Sequence, residues 1–126
     1  MPMTPHDLVV EAKAQIKEVS TADAMQQLGK RVVIDVREYD EYAAGHLPGA
    51  INIPRGVLEF KIGMVPECAK KDGAFLIYCR TSGRAALSAV QLQKIGYSNI
   101  ISMNGGFEVW NTEQRPTEKP EPINFE

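Results

Sequence analysis

Few side chains in this sequence are suited to covalent chemistry: two cysteines, Cys68 and Cys79, and two histidines, His6 and His46. Cys79 opens the stretch CRTSGR, in which Arg80, Thr81, Ser82, Gly83 and Arg84 separate an apolar run ending at Tyr78 from an alanine-rich one starting at Ala85. If the first run is a strand and the second a helix, three effects converge on one sulfur. Backbone N–H groups of the first helical turn lack partners, the helix dipole adds partial positive charge, and Arg80 and Arg84 raise the local potential. All three favour thiolate over thiol.

The size of that effect shows what the loop is for. A free cysteine is about 3% thiolate at pH 7, and a pKa two units lower gives roughly 75%. The gain of about 25-fold is offset by a loss of roughly eightfold in intrinsic nucleophilicity. Activation alone is therefore a weak reason for the loop. It is expected also to hold an anionic substrate and a charged intermediate on the sulfur, with Arg80, Thr81, Ser82, Gly83 and Arg84 forming an anion cradle around Cys79.

Cys68 lies between Glu67 and Ala69 without a glycine-rich turn, and is expected to be a bystander, with a resolving thiol as the lesser reading. The two cysteines form no CxxC pair and adjoin neither histidine, so no metal site is expected. His46 reads as a hydrogen-bonded turn residue, and His6 is assigned no chemistry. Leu58, Phe60, Ile62, Met64 and Val65 read as core, with a lid or docking surface as the second reading.

The elements that must position Cys79 follow from periodicity. Val32–Ile34, Phe75–Tyr78 and Ile100–Met103 are short apolar runs of the kind found in strands buried on both faces, and imply a parallel sheet. Between the last two, Ala85, Ala89, Leu92 and Ile95 recur at helical spacing up to Gly96, giving a strand, helix, strand unit. Thr4 with Pro5 and Asp7 starts a leading helix with Leu8, Ala12 and Ile16 as its apolar stripe, and Ser20 with Asp23 starts a second that Gly29 closes. Ile51–Ile53 is a candidate brief strand, and Gly105–Gly106 a tight strand-to-helix turn with Phe107 and Trp110 in the core. An open α/β sheet with helices on both faces is expected, its sites at the carboxyl ends of the strands.

Composition narrows the partners. The 126 residues carry 14 basic and 16 acidic side chains, a net charge of −2, which removes the electrostatic drive toward nucleic acid or anionic lipid. No run approaches the roughly 20 apolar residues of a membrane span, and no secretory leader is visible, so a cytoplasmic protein is expected. A domain of this size buries roughly two-thirds of its unfolded surface without staples.

DVRE at Asp35–Glu38, GHLPGAINIP at Gly45–Pro54, YCRTSGRA at Tyr78–Ala85 and GGFEVW at Gly105–Trp110 stand in the order and spacing of single-domain rhodanese-like sulfurtransferases. The resemblance divides the chain into a leading helix over 1–15, a rhodanese-like domain over 16–112 and a Pro/Glu-containing tail over 113–126. It implies a five-stranded parallel sheet and a six-residue loop, Cys79–Arg84, opened by the catalytic cysteine. The implied chemistry moves sulfane sulfur from an anionic donor such as thiosulfate, through a persulfide on Cys79, to a thiol or cyanide, without metal or organic cofactor. The thiol acceptor could be small or carried by a protein, and a sulfur-relay or protein-binding module with little small-molecule turnover is the alternative.

By the same resemblance Asp35 steadies loops near the site, Arg37 pairs with acids such as Glu41, and His46 gives structural support. Related phosphatases have five residues between cysteine and arginine, whereas Cys79 and Arg84 have four, a ring suited to sulfur rather than phosphate. The commonest sulfurtransferase loops have glycine where this chain has Ser82, and serine where it has Ala85. That departure leaves open which N–H groups face the sulfur.

Overall fold

The computed structural model describes residues 2–120. Its five strands are β1 (Lys17–Val19), β2 (Val32–Asp35), β3 (Ile51–Asn52), β4 (Ala74–Tyr78) and β5 (Asn99–Met103). They form one parallel sheet in the order β1-β5-β4-β2-β3. The central strands β2, β4 and β5 are the three apolar runs of the sequence. Alternate residues point to opposite faces and both faces are covered, which is why those runs are apolar throughout. Ile34, Phe75, Ile77 and Ile100 pack on one face with Leu58, Ile62, Ala89 and Leu92. Val33, Leu76, Tyr78, Ile101 and Met103 pack on the other with Ala24, Leu47 and Trp110.

Among the described residues are six α-helices: α1 (Pro5–Lys13), α2 (Thr21–Gln27), α3 (Tyr39–Ala44), α4 (Leu58–Lys61), α5 (Gly83–Lys94) and α6 (Gly106–Thr112). Thr4 and Asp7 form a reciprocal capping box at α1, and Ser20 accepts from the Asp23 N–H at α2. The expected stripe of α1 is displaced. The helix stops at Lys13, Ile16 lies in the turn before β1, and Leu8 is 46% exposed. Its inward residues are Val9 and Ala12, because α1 packs on α5, where Ala12 meets Ala86 and Val90. Gly29 does not close α2. Leu28 is already extended, and Gly29 forms the following turn at φ +82°.

The start of the C-terminal tail is held to the surface. Trp110 Nε1 donates to the Pro116 carbonyl at 2.8 Å, and His46 and Glu118 exchange backbone hydrogen bonds at 2.9 Å. The end of the expected tail, 121–126, lies outside the described residues. Among those described, no helix is long and apolar enough to cross a membrane.

Candidate active site

β4 delivers Cys79 to the carboxyl end of the sheet, where the side chain is 1% exposed. Its Sγ accepts a hydrogen bond from the Ala85 N–H at 3.3 Å. Local geometry explains why that group is free. α5 begins at Gly83, so Ala85 is its third residue, whose N–H ordinarily bonds to the capping side chain. The capping residue, Ser82, has φ −163° and ψ −13° and makes no side-chain cap. The sulfur occupies the role the Ser82 hydroxyl leaves open. The sequence places Arg80–Arg84 in the cradle and leaves open which N–H groups face the sulfur. The one within hydrogen-bonding distance belongs to Ala85, the third residue of a helix that starts at Gly83.

α6 holds the loop from outside. The Phe107 and Glu108 N–H groups donate to the Cys79 and Arg80 carbonyls, each at 2.9 Å. Gly106 makes this approach possible at φ +62°. A Cβ there would lie 2.5 Å from the Arg80 carbonyl oxygen. Thr81 is exposed, and Gly83 lies against α1, where a Cβ would meet Val9 at 3.3 Å.

The arginines are each paired. Arg84 makes a two-pronged contact with Glu41, Nη1 to Oε1 at 2.8 Å and Nη2 to Oε2 at 3.0 Å. Glu41 Oε1 also accepts from the Glu38 N–H at 3.1 Å, completing the cap of α3. The Arg84 hydrogen bonds hold the Glu41 carboxyl down at about 2, and Glu41 in turn raises Arg84. Arg80 reaches Glu108 at 3.3 Å from an exposed position.

Arg37 pairs not with Glu41 but with Asp35, which corrects the sequence expectation. Asp35 accepts from the Arg37 backbone N–H at 2.9 Å, from Nε at 3.0 Å and from Nη2 at 2.7 Å, and from the Tyr78 hydroxyl at 2.6 Å. The two-residue separation places the guanidinium back over its own strand end, and Glu41 is left facing Arg84. Burial opposes the charge on Arg37, but Asp35 more than offsets it, and Arg37 is raised. Burial, then Asp35, raise the Tyr78 phenol. Arg37 Nη2 also donates to the Gly45 carbonyl at 2.7 Å, tying the loop after α3 to β2.

His46 is buried, with Nδ1 2.8 Å from the Leu47 carbonyl and its ring stacked on Tyr42 at 3.9 Å between centroids. Its polar contacts are to its own turn and to the tail. Cys68 is fully buried, and burial followed by the nearby Glu67 pushes its thiol up to about 11.

A cavity of about 370 Å³ opens beside the loop, lined among others by Arg37, Glu41, Gly45, Arg80, Phe107 and Glu108. Reasoning from sequence did not identify Glu41 as the partner of Arg84, nor Glu108 as a site residue. Their signal is topological: α3 and α6 both start at carboxyl ends of strands flanking β4. Together these features give a buried sulfur facing a helix start, on a loop fixed at both carbonyl and guanidinium positions.

The rhodanese-like domain family matches residues 18–113. A sulfurtransferase of Allochromatium vinosum is 26% identical over 109 residues, covering 84% of this chain and 98% of its own. The thiosulfate sulfurtransferase GlpE of Pseudomonas fluorescens is 32% identical over 91 residues, covering 72% and 79%. Among solved structures, a Rhodopseudomonas palustris protein of unknown function, described as a possible tyrosine phosphatase, superposes with a TM-score of 0.79 at 31% identity, covering 94% and 99%. With the strand order, the loop opened by Cys79 and a family match spanning most of the sequence, the chain belongs to the rhodanese-like family.

Proposed function

We propose that this protein is a cytoplasmic sulfurtransferase that carries sulfane sulfur on Cys79. The observation that carries the reading is the Ala85 N–H directed at Cys79 Sγ from the start of α5. The sulfur acts as nucleophile from the thiolate and needs no general base, so His46 serves the fold rather than the chemistry. The thiolate attacks the outer sulfur of a donor such as thiosulfate. A new S–S bond forms, the donor's S–S bond breaks, and sulfite leaves with the electron pair. The Cys79 persulfide is held by the Ala85 N–H and the dipole of α5. A thiolate or cyanide then attacks the outer sulfur, giving a new persulfide or thiocyanate and restoring the Cys79 thiolate.

The test is intact mass after incubation with thiosulfate. An adduct of about 32 Da that is reversed by cyanide and absent in Cys79→Ser is expected. No adduct and no thiocyanate would end the reading. The four residues between Cys79 and Arg84 make a ring narrower than a phosphatase loop, and hydrolysis of an aryl phosphate is expected to be absent.

A second reading, a sulfur-relay module that docks a protein thiol, draws on Phe60 and Met64, each 80% exposed on the segment after β3. A Cys79 persulfide that is stable to small thiols but discharged by a protein thiol would select it.

A further inference from the structure

The three arginines around the site all have carboxylate partners: Arg37 has Asp35, Arg84 has Glu41 and Arg80 has Glu108. The first two pairs are buried or half-buried and have structural duties. The third is different. Arg80 and Glu108 are 69% and 57% exposed and touch once, at 3.3 Å, on the rim of the cavity beside the loop. Glu108 is also fixed in place, since its own N–H donates to the Arg80 carbonyl at 2.9 Å. The first turn of α6 therefore presents a carboxylate to the more exposed of the two loop guanidiniums, that of Arg80.

We propose that Glu108 is a specificity-determining residue that restrains anionic sulfur donors, by occupying Arg80 and cancelling its charge at the cavity mouth. The inference rests on the sulfurtransferase reading and deepens it. Thiosulfate arrives with two negative charges. An alkanethiosulfonate arrives with one and breaks the same kind of S–S bond, releasing a sulfinate in place of sulfite. Released from Glu108, the Arg80 guanidinium attracts the dianion with twice the Coulomb energy it gives the monoanion, so the factor for thiosulfate is the square of the factor for the monoanion. At a separation of about 7 Å in a watery, salt-screened rim the factors are about three- to tenfold and about two- to threefold.

The experiment compares wild type with Glu108→Gln, using thiosulfate and methanethiosulfonate as donors and cyanide as acceptor. kcat/KM is measured at low ionic strength and again at about 1 M, where screening acts within about 3 Å. Glu108→Gln is expected to raise kcat/KM at low salt by the two factors above, to lose the gain at high salt, and to lose most of it in the Arg80→Ala background. Glu108→Asp, which keeps the charge, is expected to show no gain. No gain, an equal gain for both donors, or a gain indifferent to salt would overturn the proposal while leaving sulfur transfer intact. If neither wild type nor variant acquires the sulfur adduct from either donor, the sulfurtransferase reading falls and takes this inference with it.

Discussion

Cys68 and Cys79 are packed into the same side of the sheet, 0% and 1% exposed, yet the backbone treats their sulfurs differently. Cys79 Sγ faces the start of a twelve-residue helix and accepts its third N–H. Cys68 ends a single 3-10 turn, Pro66–Cys68, and among the described residues its sulfur has no hydrogen-bond donor. Its surroundings supply only desolvation and the charge of Glu67, and both disfavour the thiolate. Burial alone makes a thiol inert, whereas burial against a helix start supplies a fixed dipole where water would otherwise be needed.

The bluntest way to test that contrast is to remove each sulfur. Cys79→Ser is expected to lower thiocyanate formation by at least on the order of a thousandfold, as for other nucleophile deletions. Cys68→Ala is expected to stay within about twofold of wild type, since the residue touches no reacting atom. Comparable losses in the two variants would abolish the distinction.

Gly106→Ala attacks the Cys79 side alone. The new Cβ would lie 2.5 Å from the Arg80 carbonyl oxygen in a residue at φ +62°, so either α6 or the loop must move. A loss of about 2–4 kcal/mol in denaturant unfolding is expected, with turnover falling further than the folded fraction does. Turnover that simply tracks the folded fraction would show that the loop does not depend on α6.

Glu41→Gln is a milder intervention, because it keeps the cap of α3 but removes the anion that holds Arg84. About 1 kcal/mol of stability at neutral pH is expected to disappear, as suits a partly exposed pair. The pH sign follows from the lowered carboxyl. Its contribution is present above the ordinary value of 4.5 and is lost as pH falls toward about 2. Wild type and variant should therefore converge in acid unfolding curves, and parallel curves would show that the Arg84 pair does not set this carboxyl.

Much of this arrangement can be read from the chain, for a physical reason. The strands carrying Cys79 and Asp35 are buried on both faces, so their apolar runs announce them, and the Thr4 and Ser20 caps are local signals. The edge strand β1 is hidden because Lys17 and Glu18 alternate with few apolar neighbours, and the role of Ile16 looked helical. The resemblance implies acids such as Glu41 for Arg37, but it does not carry the direction of the side chain. The chain reversal after β2 returns the guanidinium to Asp35, whereas α3 turns Glu41 toward Arg84. The Ala85 N–H is beyond reach for the same reason: which amide meets the sulfur depends on the residue at which the helix starts, and composition does not place that start at Gly83.

The remaining expected effect belongs to Cys68 and is read in alkali. Its thiol ordinarily titrates near 9.0 and is pushed up to about 11 by burial, so the folded state holds the proton more tightly than the unfolded chain. Stability linked to this group is full below about pH 9 and declines as pH rises toward about 11, with a slope of at most about 1.4 kcal/mol per pH unit. Burial also raises Tyr42 and Tyr97, so wild-type stability falls in alkali for several reasons at once. Subtracting the curve of Cys68→Ala leaves mainly the thiol. At pH 7 the variant is expected to be about 1–2 kcal/mol less stable, from the small cavity, and the gap should narrow steadily between pH 8 and 10. A gap independent of pH would mean that Cys68 is hydrated or hydrogen-bonded in solution, and that the two thiols differ by less than their backbones indicate.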